Sequence, residues 1–156
     1  MPSARQRVVL DASVLVSVVN SDDEFHLPCY QYFRESDDAG TIWVVPGLIV
    51  FEFEATQSRR YREKGRDAVY RHAPLYDRNT ELCQVTREFL QRVGELNLYD
   101  VFARLRGADL LYACIAKIEG IPLVTHDLAF KAFASEIEMI DPVLVNGHLT
   151  AHWSGP

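Results

Sequence analysis

The sequence predicts a three-layer α/β/α domain with a parallel sheet of four or five strands. Short apolar runs of strand length alternate along the chain with longer segments of helical character. Such alternation is typical of a parallel sheet covered by helices on both faces. The sequence contains no internal repeat and no linker, and 156 residues are enough to bury one core. We therefore expect a single domain over residues 1–145 and a weakly patterned C-terminal tail over residues 146–156.

The predicted elements take their boundaries from apolar runs, prolines and glycines. The strands are Val8–Leu10, Ile42–Val45, Leu123–Thr125 and Glu138–Ile140. The helices are Ala12–Val19, about Pro28–Asp37, about Pro46–Gly65, Arg66–His72, Leu82–Leu96, Gly107–Glu119 and Leu128–Ala134. The helix from Leu82 has the clearest amphipathic pattern, because Val85, Phe89, Val93 and Leu96 recur at helical spacing.

Four carboxylates stand at places where the surrounding sequence is apolar. Asp11 follows the run Val8–Leu10, Glu52 interrupts an apolar helical segment, Asp109 opens another, and Asp127 closes an apolar run. Burying a carboxylate is costly unless it is paired or binds a metal ion. Because these motifs offer oxygen donors without Cys or His partners, they favour a hard cation such as Mg²⁺ or Mn²⁺.

The predicted topology brings these acids to one edge of the sheet. Asp11 and Asp127 each follow a strand, and ligands of parallel sheets bind outside the carboxyl ends of the strands. Asp109 lies in the first turn of its helix, where the helix dipole favours an acid. Four carboxylates without a cation would repel one another. One or two divalent ions would remove that repulsion and could hydrolyse a phosphodiester.

Each acid also has a structural interpretation when it is taken alone. Asp11 could cap a helix, and Asp109 could serve only the helix dipole. Capping does not explain Glu52 inside an apolar segment, although Glu54 competes with it as the relevant acid. Since all four lie at the same predicted edge, we favour a metal site over four separate structural roles.

The charge distribution leaves a polyanionic substrate possible. The net charge is −6, from 16 basic and 22 acidic residues, and without the four proposed ligands it becomes 16 − 18 = −2. The segment Arg59–Arg66 carries five basic residues and one acid, and either a solvated helix face or a phosphate or partner contact would explain it. Arg104 and Arg106 precede Asp109 and are candidates for contacting a substrate phosphate.

The cysteine pattern and the apolar segments bear on the cellular compartment. Cys29, Cys83 and Cys114 are far apart in apolar contexts and form no C-x-x-C pair. They are interpreted as reduced core thiols of a cytoplasmic protein. No apolar stretch is long enough for a membrane span, and the first seven residues lack the apolar core of a signal peptide.

Four segments together resemble the successive motifs of PIN-domain nucleases. They are Val8–Ser13, Val45–Glu52, Ala108–Ala113 and Leu123–Asp127. Chain length and motif order are also similar to those of VapC-type toxins of toxin–antitoxin pairs. The similarity spans roughly residues 8 to 133, and the order and spacing of the motifs are more specific than any one of them.

The resemblance implies a function and a set of site residues. Asp11, Glu52, Asp109 and Asp127 would form the catalytic metal site, and Ser13 and Thr125 match the hydroxyl residues that support it. The resemblance further implies Mg²⁺- or Mn²⁺-dependent endoribonuclease activity on RNA, inhibition by a small cognate antitoxin, and homodimerisation.

Other functions are weighed against this one. A PIN-like module that binds RNA or protein without cutting, and an RNA-processing nuclease without a toxin role, both remain open. A haloacid-dehalogenase-type phosphatase would need a second acid where Ser13 stands. A response-regulator receiver would need a lysine after a late strand, whereas Lys117 lies within a predicted helix.

Overall fold

The sheet has five parallel strands, which confirms the predicted α/β/α class. The computed structural model describes residues 5–63, 75 and 79–146. Within these residues the strands run in the order β3-β2-β1-β4-β5, and all four neighbouring pairs are parallel. Their bounds are β1 Arg7–Leu10, β2 Ile42–Pro46, β3 Thr80–Cys83, β4 Leu123–Val124 and β5 Met139–Ile140.

The helices cover this sheet and pack on one another. They are α1 Ala12–Val19, α2 His26–Asp38, α3 Leu48–Glu63, α4 Arg87–Glu95, α5 Leu98–Val101, α6 Gly107–Glu119 and α7 Pro142–Asn146, with a 3-10 helix at Leu128–Phe133. Helix α1 packs against α2 and α3, and α6 packs against β1, β2 and β4. None of the helices in the described ranges is long and apolar enough to cross a membrane.

The central strand β1 lies within the core from Val8 onward. Val8, Val9 and Leu10 are fully buried because helices cover both faces of the sheet at this position. Next to it, the Trp43 ring of β2 stacks on Phe33 of α2 with ring centroids 4.7 Å apart. Each fully buried side chain of this size contributes about 1.5–3 kcal/mol. The packed centre of the sheet therefore fixes the positions of the residues that follow its strands.

The predicted helix Leu82–Leu96 is wrong in its first part. Leu82 lies in β3, which pairs in parallel with β2, and α4 begins only at Arg87. Thr86 ends the non-helical segment, because its hydroxyl accepts a hydrogen bond from the Phe89 N–H at 3.1 Å and caps the helix. Pairing with a neighbouring strand thus outweighs the helical periodicity of residues 82–86.

A further difference lies near the end of the described residues. Helix α7 was not predicted, although Asp141 caps it by accepting the Val143 N–H at 2.9 Å and Pro142 occupies its first position. The predicted helix Arg66–His72 and all of the tail after Asn146 lie outside the described residues.

Candidate metal centre

Two of the predicted acids lie side by side at the carboxyl edge of the sheet. Asp11 follows β1 directly, and Asp127 comes three residues after the end of β4. Since Leu10 pairs with Val124 in the sheet, both acids emerge at the same edge. Each also caps the helix that follows, so their backbone positions are fixed by local hydrogen bonds.

The other two predicted acids reach the same place from helices. Asp109 lies in the first turn of α6, and Glu52 lies in the second turn of α3. All four line one pocket of about 300 Å³. The structure therefore brings the four predicted acids together, although they are up to 116 positions apart (127 − 11) in the sequence. Their role as metal ligands stays a prediction.

Asp11 is the most buried of the four, with only 4% of its surface exposed. The hydroxyls of Ser13 and Thr125 both donate to its Oδ2 atom, each at 2.7 Å. Burial raises the pKa of Asp11, and these two hydroxyl donors partly offset that rise. The two residues predicted to support the site thus contact the acid directly and orient it.

Glu52 has a partner that was not predicted. The Tyr112 hydroxyl, on α6, donates a hydrogen bond of 2.7 Å to Glu52 Oε2. Partial burial raises the pKa of Glu52, the Tyr112 hydroxyl lowers it, and the charge of Asp11 raises it again. Tyr112 lies three positions after Asp109, a spacing that places both on one face of a helix and was a usable sequence signal.

Burial and the charges of the other three acids contribute to the pKa of Asp109. Burial raises its pKa to about 6, and the charges of Asp11, Asp127 and Glu52 contribute to the rise in that order. A carboxyl group responds in this way when several like charges surround it without a cation. Burial and neighbouring like charges together thus disfavour the ionised form of Asp109.

A fifth carboxylate, Asp23, also lines the pocket. Asp23 accepts hydrogen bonds from the Phe25 N–H at 3.0 Å and from the Ser17 hydroxyl at 3.1 Å, and Arg60 Nη1 lies 2.9 Å from its Oδ2. Burial alone would raise the pKa of Asp23, but these three donors bring it below its usual value. Asp23 is thus already paired, unlike the four predicted acids.

His126 forms part of the pocket wall. Its Nε2 lies 3.1 Å from the Ser17 hydroxyl and 3.3 Å from the Ser13 carbonyl oxygen, and its ring packs on Phe25 with centroids 4.8 Å apart. Because a carbonyl oxygen only accepts, we assign the hydrogen to Nε2. The sequence motif gave no role to this position, and a contact across 113 residues left no local signal.

The arginines predicted to contact substrate do not line the pocket. Arg104 and Arg106 are both exposed, and Arg106 forms the N-cap of α6 without a capping side-chain hydrogen bond. In the basic segment, Arg60 is used by Asp23, and Arg59 donates to the Thr56 hydroxyl at 3.0 Å. The part of that segment after Glu63 lies outside the described residues.

The residues of the pocket fit a divalent cation chemically. The predicted donor set consists only of carboxylate oxygens, which suits Mg²⁺ or Mn²⁺. Among the described residues, no three His, Cys, Asp or Glu side chains already converge on one point at metal-binding distance. Three of the acids instead accept hydrogen bonds from protein groups. Asp11 accepts from Ser13 and Thr125, Glu52 from Tyr112, and Asp127 from the Ala129 N–H.

Comparisons with known proteins agree with this geometry. The family model of the PIN domain matches residues 8–136. A chain of the crystal structure of VapBC2 from Rickettsia felis, bound to a DNA fragment from its promoter, is similar with a TM-score of 0.57 and 16% identity; the match covers 86% of this chain and 98% of that one. Mycobacterium tuberculosis VapC20, a sarcin-ricin-loop-cleaving toxin, is similar with a TM-score of 0.57 and 15% identity, over 84% and 97% of the two chains. No curated protein matches the chain.

Proposed function

Because the chain belongs to the PIN domain family, we propose that it is a Mg²⁺- or Mn²⁺-dependent endoribonuclease and the toxin of a toxin–antitoxin pair. The observation that carries this proposal is the convergence of Asp11, Glu52, Asp109 and Asp127 on one pocket. Oxygen-only clusters of this kind suit hydrolysis of a phosphodiester bond. A module that only binds RNA would have no need to gather four acids at such an electrostatic cost.

The chain's own residues would divide the work between holding the ions and orienting the acids. Asp11, Asp109 and Asp127 are the proposed ligands, and Glu52 is a further ligand or positions the attacking water. When bound, one or two ions would activate that water and stabilise the leaving oxygen. Among the orienting groups, Tyr112 holds Glu52 through its 2.7 Å hydrogen bond.

Asp109 carries a proton at low pH that an ion must displace. Burial and the three neighbouring acids raise the pKa of Asp109 to about 6, so below that value it is mostly protonated in the metal-free protein. Ligands bind a metal ion in their deprotonated form, and metal binding therefore releases protons. Affinity for Mg²⁺ or Mn²⁺ should rise with pH through about 6 and then level off.

The toxin role rests on the family and on the shared fold. One similar structure is that of VapBC2, and the other is VapC20, a sarcin-ricin-loop-cleaving toxin. On this basis we propose RNA as the substrate, a small antitoxin as the partner, a homodimer as the assembly and the cytoplasm as the location.

Cleavage of total cellular RNA tests the proposed activity. The purified protein, freed of any bound partner, is incubated with Mn²⁺, with Mg²⁺ or with EDTA. We expect discrete products with either metal and none with EDTA. The Asp11→Asn and Glu52→Gln variants should give no products, whereas Glu54→Gln, on the same helix but outside the pocket, should cut as the wild type does.

The result that would overturn the nuclease is equally clear. Folded wild-type protein that cuts nothing in either metal would leave a binding module. Cleavage retained in folded Asp11→Asn would show that the chemistry does not depend on the pocket.

A growth assay separates a toxin from an RNA-processing nuclease. Expression of the wild type should arrest growth, co-expression of the small protein encoded beside it should relieve the arrest, and Asp11→Asn should have no effect. Cleavage in vitro without any arrest would favour processing.

A further inference from the structure

We propose that a second, apolar cavity beside the acidic pocket binds an unpaired nucleobase of the RNA next to the bond that is cut. The cavity has a volume of about 520 Å³ and lies between α1, the 3-10 helix and α7. This volume is within the range of about 300–1,000 Å³ that is usual for small-molecule sites. The inference rests on the proposed ribonuclease function and names a substrate contact that the function does not yet include.

The cavity is continuous with the acidic pocket. Ser13, His126 and Asp127 line both of them. A strand whose phosphate lies among the acids would thus pass the His126 ring and meet the apolar cavity with its neighbouring nucleotide.

The cavity walls are apolar and aromatic where a base would lie. Leu128 and Leu144 are 68% and 75% exposed, although both are large and apolar. The rings of Phe25 and His126 pack on each other and form part of the lining. Bases of single-stranded RNA are commonly bound by stacking on aromatic side chains and by apolar contact. A bound base would cover the two exposed leucines.

One cation, Lys131, lines the cavity together with two carboxylates, Asp127 and Asp141. Lys131 is exposed on the 3-10 helix and has no ion pair among the residues that the structure describes. Each of these carboxylates accepts one backbone N–H, Asp127 from Ala129 and Asp141 from Val143. Lys131 is thus available to a phosphate of the bound strand.

The base must be unpaired to reach this cavity. Bases within a duplex are stacked and paired, and proteins that read RNA bases mostly bind loops or single strands. The proposed cavity would therefore bind a base in a loop or a single strand, next to the bond that is cut.

Abasic substitution measures the contact directly. A short RNA that spans the cleaved bond is prepared with an abasic residue at each flanking position in turn. Base stacking is worth about 5- to 150-fold in equilibrium terms, and we expect a loss of kcat/KM in this range at one position. A double variant, Leu128→Ser with Leu144→Ser, should lose activity on intact RNA but lose nothing more when that base is absent.

Matched controls separate this contact from general effects. Leu90→Ser also removes an exposed leucine, on α4 and outside both cavities, and should retain the full abasic effect. Lys131→Ala should lower the slope of log KM against log salt concentration by about 0.7, the value for one phosphate contact on a single strand. Arg87→Ala, which removes an exposed charge from α4, should leave the slope unchanged.

A binding measurement distinguishes failure of the proposed base-binding cavity from failure of the proposed nuclease activity. The methyl resonances of Leu128 and Leu144 should shift with adenosine or uridine monophosphate and not with ribose 5-phosphate. If these resonances shift in a protein that cuts no RNA, the apolar cavity binds a base and the nuclease activity is refuted. If RNA is cut equally well whichever flanking base is removed, base binding in the apolar cavity is refuted and the nuclease activity is not. If only the antitoxin shifts these methyl resonances, the apolar cavity binds a protein partner and base binding there is refuted.

Discussion

Removing the charge of Asp109 should stabilise the metal-free protein at neutral pH. Burial, followed by the charges of Asp11, Asp127 and Glu52, raises the pKa of Asp109 from 3.8 to about 6. Undiminished, this rise corresponds to about 3 kcal/mol. Asp109 is half-exposed, so solvent screening reduces the effect to about 1 kcal/mol. Asp109→Asn should gain that much in free energy of unfolding.

The sign of the effect follows from proton linkage. Since the pKa is higher in the folded protein, the folded state binds more protons than the unfolded state between 3.8 and about 6. Stability contributed by Asp109 is therefore lost as pH rises through that window. The gain from Asp109→Asn should be present at about pH 7.5 and vanish near pH 4.

Urea unfolding of metal-free protein at both pH values measures this gain. Asp100→Asn is the matched control, because Asp100 is also an acid in the first turn of a helix but lies outside the pocket. The Asp100→Asn variant should show no gain in free energy of unfolding at either pH. Saturating Mn²⁺ should reverse the order of wild type and Asp109→Asn, because the wild type has the full ligand set. An unchanged or lower stability of metal-free Asp109→Asn at about pH 7.5 would refute the electrostatic reasoning.

Two further substitutions test the groups that orient and balance the acids. Tyr112→Phe removes the hydroxyl that donates to Glu52, so stability should fall by about 0.5–1.5 kcal/mol and kcat should fall while the overall fold, followed by circular dichroism, is kept. Arg60→Gln leaves Asp23 without its cation and should cost about 1–2 kcal/mol in urea unfolding, because the pair is only partly exposed. Arg59→Gln on the same exposed helix is its control and should change stability little; equal losses from both variants would contradict the specific pairing.

The positions of Asp11 and Asp127 were predictable because the ends of parallel strands obey a general rule. Asp11 and Asp127 follow parallel strands, and the carboxyl ends of neighbouring strands share an edge. Ser13 and Thr125 were predicted from their motifs, and both donate to Asp11. These two hydroxyl residues were implied by the family resemblance, and each lies within two positions of a predicted acid.

Features that depend on distant partners were not predictable in the same way. The pairing of Asp23 with Arg60 joins residues 37 positions apart, and neither has a neighbour in the sequence that indicates the other. Leu82 was predicted in a helix because periodicity is local, whereas its strand is set by pairing with Val45. The apolar cavity likewise forms only when Leu128 and Leu144 are brought beside the acids.

The central claim is that the pocket formed by Asp11, Glu52, Asp109 and Asp127 binds a divalent cation. An anomalous difference map from a crystal of the protein soaked in Mn²⁺ tests this most directly, since it locates the ion without assuming any activity. We predict one or two peaks bounded by these four carboxylates, and none there in Asp11→Asn. A wild-type crystal that shows no peak in the pocket, or shows manganese only elsewhere, would contradict the account.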